Sequence, residues 1–178
     1  MNLPNILTLV RIVMVPIMVV IYYLGFDGWN YWAAGIFIAA SLTDLLDGML
    51  ARKMGLVSDF GKFMDPIADK LLVTAALLIL IEWGKTSAWV AVILIGREFI
   101  ISAFRMLAAN KGVVIAAGWS GKVKTVVQLV GISIVLLGNP IFNLINLPMG
   151  EILIYISVAL SIYSCAEYII KNRQVLKS

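Results

Sequence analysis

Six apolar runs of about 20 residues follow one another along the chain, at residues 6–25, 33–51, 63–82, 87–108, 122–138 and 149–170. Helices of that length match the ~30 Å hydrocarbon core of a bilayer, so the pattern predicts six transmembrane helices. Turn signals separate them: Gly55, Gly84 and Gly112 follow the second, third and fourth runs, and Gly138-Asn139-Pro140 follows the fifth. Ahead of the first run, NLPNILTLVR at residues 2–11 sets Asn5, Thr8 and Arg11 at three-residue spacing among apolar neighbours, behind a proline suited to a first helical turn. This short amphipathic N-terminal helix reads first as an interfacial anchor and second as the lining of a site. The expected fold class is all-α integral membrane, and because the runs use nearly the whole chain, residues 1–178 form a single membrane domain.

Composition supports the same class. Of 178 residues, 62% are hydrophobic and 13% charged, with a mean hydropathy of +1.00, which excludes an ordinary soluble domain. The cations give the orientation. Arg11 lies near the N-terminus; Arg52, Lys53 and Lys62 follow the second run; Arg105, Lys111, Lys122 and Lys124 follow the fourth; Lys171, Arg173 and Lys177 close the chain. The alternate connections carry only Lys85, so both termini are expected in the cytoplasm, in a multi-pass cell-membrane protein. That bias also accounts for the net charge of +4 without a nucleic-acid partner. One cation and no small-residue cleavage site argue against removal of the first run as a signal peptide. The single cysteine, Cys165, forbids an internal disulfide, and the absence of histidine removes imidazole as base or ligand.

Against this background the stretch DLLDGMLARKMGLVSDFGKFMDPIAD, residues 44–69, stands out. At 100° per residue, Asp44, Asp47, Gly48, Ala51 and Arg52 fall within an arc of about 140° on the second helix. Gly61, Asp65, Ala68 and Asp69 form a matching stripe on the third, so two carboxylate faces can meet across a helix pair. An ionised side chain near the bilayer centre costs roughly 2.5–3.5 kcal/mol, and four without partners would cost on the order of 10 kcal/mol. The aspartates therefore need cations and a wet or interfacial cavity. Four carboxylates make an all-oxygen shell suited to Mg²⁺ or Mn²⁺ and unsuited to zinc. Carboxylates, two divalent ions and an adjacent arginine are the parts of a phosphoryl-transfer site. Gly48 and Gly61 would let a ring or a phosphate approach both backbones closely.

These residues spell D-x-x-D-G-x-x-A-R-x8-G-x-x-x-D-x-x-x-D without departure, and the chain closely resembles the CDP-alcohol phosphotransferase family. The resemblance implies six transmembrane helices, an amphipathic N-terminal helix and a homodimer. Within the family, NLPNILTLVRI, GREFIISAFR and GKVKT are similar to stretches of the phosphatidylglycerophosphate synthases. That similarity implies transfer of the phosphatidyl group from CDP-diacylglycerol to glycerol 3-phosphate, with release of CMP, in phospholipid biosynthesis. It implies that Asp44, Asp47 and Asp65 hold the metal ions, while Asp69 touches a metal and takes the acceptor's proton. Gly48, Ala51, Arg52 and Gly61, with Asp44, would hold the CDP portion.

Charge agrees with a phosphorylated acceptor. Arg97, Arg105, Lys122 and Lys124 gather where the fourth and fifth helices reach the cytoplasmic side, and Arg97 and Arg105 are about two turns apart. Arg97 lies deepest and has Glu98 beside it as a candidate partner. Two alternatives remain open: the same family with inositol phosphate, serine or phosphatidylglycerol as acceptor, and a divalent-cation transporter whose intramembrane acids bind its ion. The transporter leaves Gly48, Arg52, Gly61 and the basic cluster without a role.

Overall fold

The computed structural model describes residues 3–54, 59–113, 115–116 and 118–176, and the side chains of all of these except 3–4, 45–63 and 175–176. Among them every regular element is helical: α1 (Leu3–Leu24), α2 (Trp29–Met54), α3 (Asp59–Glu82), α4 (Ala88–Asn110), α5 (Trp119–Leu136) and α6 (Met149–Lys171). Short 3₁₀ turns cover Phe142–Ile145 and Arg173–Leu176. The amphipathic lead-in is not a separate element, because it forms the first turns of α1 without a break. No turn residue interrupts the sequence between Pro4 and Leu24 except Pro16, which a membrane-spanning helix tolerates.

Among the described residues, three helices are long and apolar enough to cross a membrane by length and composition alone: Asn5–Leu24, Trp119–Leu136 and Met149–Lys171. That measure does not confirm the expectation of six: part of α2 lies outside the residues whose side chains are described, and α3 and α4 carry charges. Asp65, Asp69 and Lys70 interrupt the apolar face of α3, and Arg97, Glu98 and Arg105 interrupt α4. The outward faces are nevertheless apolar: Val13 on α1, Leu78 on α3, Val92 on α4, Val126 on α5 and Ile162 on α6 are all exposed. Such faces fit lipid and not water.

The helices pack as two groups of three. α1 lies along both α2 and α3, while α6 lies along both α5 and α4. The groups meet through α2 with α5 and α3 with α4 and α5, around a core that includes Met18, Phe37, Leu77, Leu94, Ile132 and Ile154. The two ends of the bundle differ in chemistry. At one, Tyr22, Trp29 and Trp83 stack edge to face with centroids 4.9 Å apart in each successive pair, the composition of a membrane-interface belt. The other end gathers the start of α1 with the charged ends of α2–α6.

Two features fix the α5–α6 pair. Gly138 and Asn139 adopt left-handed backbone, with φ of 76° and 53°, and end α5. Asn139 then accepts from the Gly150 amide at 2.9 Å and donates to Glu151 at 2.9 Å, which sets the start of α6. Beyond that turn the helices cross at glycines. A Cβ on Gly150 would sit 2.8 Å from the Val135 backbone nitrogen and 2.5 Å from its Cγ2, so backbone and not only side chain would have to move. Replacing Gly150 by Ala is expected to lower the unfolding midpoint in detergent by about 3–10 °C. An unshifted midpoint would show that the helices do not cross so closely.

Candidate active site

The polar stripe of α1 turns inward. Asn5, Thr8 and Arg11 are buried, Arg11 completely, because the stripe faces α2 and α3. Thr8 Oγ1 donates to Asp65 Oδ1 at 2.5 Å. Arg11 Nη1 donates to Asp69 Oδ1 at 2.7 Å and pairs with Asp44 Oδ1 at 3.0 Å. One guanidinium nitrogen thus joins carboxylates from two helices. Asp44 and Asp69 keep 38% and 43% of their side-chain surface, so each is held on one side by Arg11 and open on another.

The open sides give onto cavities between the two helix groups. Asp44 lines a cavity of about 850 Å³ together with Arg97, Arg105 and Lys122. Asp65 and Asp69 line a second, of about 370 Å³, with Lys70, Arg105 and Lys124. Glu98, Ser102, Arg105 and Thr125 border both, so the two cavities share a wall. Asp47, Gly48, Ala51, Arg52 and Gly61 lie outside the residues whose side chains are described. Among the described residues no three acids gather closely enough to hold a metal ion; the carboxylates that are described, Asp44, Asp65 and Asp69, are oxygen donors of the hard type that suits Mg²⁺ or Mn²⁺, and the oxygens of Asp44 and Asp69 meet at Arg11.

The predicted cations divide into two kinds. Lys124 is 1% exposed and its Nζ donates to Glu98 Oε1 at 2.7 Å. Arg97 Nη1 donates to that same oxygen at 3.0 Å, and Nη2 to Ser164 Oγ at 3.1 Å. Gly121 makes room for Arg97, since a Cβ there would lie 2.9 Å from Nη2. Removing Glu98 would leave two desolvated cations facing each other, the costly half of a buried ion pair. Arg105 is less committed: its Nε donates to the Tyr168 hydroxyl at 3.2 Å, and its guanidinium carbon lies 5.5 Å from that ring's centroid. Lys122 lines the larger cavity.

Several residues of the cavities were not picked out from sequence. Lys70 donates to Ser102 Oγ at 2.6 Å. At the edge of the larger cavity Glu167 accepts from Ser120 Oγ and from Lys171 Nζ, each at 2.5 Å. A carboxylate in the last apolar run was the available signal for Glu167. Ser102, Ser120 and Tyr168 gave none, since hydroxyls are common in membrane helices.

The family model described as CDP-alcohol phosphatidyltransferase matches residues 1–163. The chain is 40% identical to a Bacillus subtilis (strain 168) protein named CDP-diacylglycerol--glycerol-3-phosphate 3-phosphatidyltransferase, over 99% of this chain and 98% of that one. A protein of the same name from Rickettsia bellii (strain RML369-C) is 36% identical over 94% of this chain and 93% of its own. An Arabidopsis thaliana protein, the second so named there, is 40% identical over 98% of this chain and 81% of its own. Matched by that family model over residues 1–163 and by a relative over 99% of its length, the chain belongs to the CDP-alcohol phosphatidyltransferase family.

Proposed function

We propose that this protein transfers the phosphatidyl group of CDP-diacylglycerol to glycerol 3-phosphate, giving phosphatidylglycerophosphate and CMP in phospholipid biosynthesis. The observation that carries the reading is the shared wall of the two cavities. There the carboxylates of Asp44, Asp65 and Asp69 open toward the space that Arg105 borders on both sides. The relatives' names supply the donor and acceptor.

In this reading the acceptor's hydroxyl oxygen attacks the phosphorus that bears diacylglycerol. The new P–O bond forms as the bond to the bridging oxygen of CMP breaks, and Asp69 takes the hydroxyl proton. Arg105 and Lys122 hold the acceptor's phosphate, with Arg97 and Lys124 behind them as fixed positive charge around Glu98. Gly48, Ala51, Arg52 and Gly61 bind the CDP portion. Asp44, Asp47, Asp65 and Asp69 hold two Mg²⁺ or Mn²⁺ ions, which when bound withdraw charge from the pyrophosphate oxygens.

The rest of the assembly follows from membrane physics and from the family. Six helices span the cell membrane as one domain; charged α3 and α4 do so because their polar faces line the cavities. The lysine and arginine bias puts both termini and the site in the cytoplasm, with the Tyr22, Trp29 and Trp83 belt opposite. Two copies form a homodimer. The test is product identity. Purified protein given CDP-diacylglycerol and labelled acceptors should convert glycerol 3-phosphate to lipid and leave inositol phosphate, serine and phosphatidylglycerol unused. It should stop in EDTA and resume with Mg²⁺ or Mn²⁺. Preferred labelling from another acceptor would overturn the substrate, and full turnover in chelator would overturn the ions.

A further inference from the structure

Arg11 is a permanent positive charge placed inside the acidic cluster. Its side chain is completely buried, and Nη1 serves both Asp69 Oδ1, at 2.7 Å, and Asp44 Oδ1, at 3.0 Å. A guanidinium does not lose its proton in a protein, so this charge cannot be switched off when another cation arrives. Asp44 and Asp69 are also carboxylates that the proposed function gives to the divalent ions. The same oxygens therefore serve two cations.

From this geometry we infer that Arg11 is a resident counter-ion that sets the metal affinity of the site: it neutralises Asp44 and Asp69 before metal binds and opposes the ion once it is bound. The inference rests on the metal-bearing reading above. Without metal, carboxylates in a largely apolar bundle need a partner, and α1 supplies it from a helix that carries none of them. With metal, a fixed charge a few ångströms from a divalent ion repels it, which keeps binding reversible where four aspartates would otherwise hold the ion tightly. The start of α1 becomes part of the site in this way, and Thr8, donating to Asp65 one turn earlier, completes its contact with the cluster.

The alternative role for a buried arginine is to orient the carboxylates for the ion, and the two roles predict opposite signs. Arg11→Gln removes the charge and keeps a polar side chain. Mn²⁺ binding to the substrate-free protein in detergent, read as loss of the free-ion EPR signal, should tighten by about tenfold. Arg11→Lys keeps the charge and should stay within about threefold of the parent. The unfolding midpoint without metal should fall in Arg11→Gln, and its rise on adding Mn²⁺ should exceed that of the parent. If the metal-free variant does not stay folded, purification with Mn²⁺ followed by back-titration with chelator gives the same affinity. Unchanged or weaker Mn²⁺ binding in Arg11→Gln would overturn the inference while leaving the metal site standing. Absence of Mn²⁺ binding by the parent, with turnover intact in chelator, would remove the metal reading and the inference with it.

Discussion

Replacing Asp69 by Asn should lower kcat by about a thousandfold while changing CDP-diacylglycerol binding no more than a few-fold. An alcohol is a poor nucleophile at neutral pH, and in a chain without histidine the carboxylates are the available bases near the cluster. Asp69 sits one helical turn beyond Asp65, borders the smaller cavity with Arg105, and keeps 43% of its side-chain surface. It is thus reachable by a bound acceptor. Asn has nearly the same shape and cannot take the proton. Its amide oxygen can still accept from Arg11, which also keeps Asp44, so the local packing should survive. Assay at saturating Mg²⁺ separates loss of the base from weakened metal binding. A variant with kcat near that of the parent would remove Asp69 from the proton step.

Arg105→Ala should raise the KM for glycerol 3-phosphate by about 10- to 100-fold with a much smaller effect on the KM for CDP-diacylglycerol, as loss of a charged hydrogen bond to phosphate costs about 1.5–3 kcal/mol. The expectation sets Arg105 apart from Arg97 and Lys124 among the four cations first assigned to the acceptor. Lys124 and Arg97 already spend donors on Glu98 Oε1, whereas Arg105 gives its Nε to Tyr168 and borders both cavities. The Tyr168 contact fixes the guanidinium, which reduces the ordering entropy of binding. Steady-state kinetics with each substrate varied in turn supplies the comparison. An unchanged acceptor KM together with weaker CDP-diacylglycerol would move the acceptor pocket elsewhere.

Much of this site was legible along the chain, because its signals are local. The spacing of Asp44 with Asp47, and of Asp65 with Asp69, fixes which helix faces carry charge, and hydropathy fixes where helices lie. The apolar run at 63–82 became α3 from Asp59, since a polar first turn adds helix but no hydropathy. What stayed hidden depends on pairing across the chain. Nothing near Arg11 says that it meets Asp69, 58 residues away, and three-residue spacing suits a headgroup anchor as well as a buried stripe. Glu98 was visible as a neighbour of Arg97, yet its bond to Lys124 required α5 to pack beside α4's polar face.

The central claim is that these intramembrane carboxylates carry out phosphatidyl transfer and do not carry ions across the bilayer. Protein reconstituted into liposomes containing CDP-diacylglycerol permits both to be followed in one sample, as CMP released and as Mn²⁺ taken into the lumen. The account predicts CMP release that needs both glycerol 3-phosphate and a divalent ion, matched mole for mole by phosphatidylglycerophosphate, with no Mn²⁺ uptake above that of protein-free vesicles. Mn²⁺ accumulation without acceptor-dependent CMP release would contradict it.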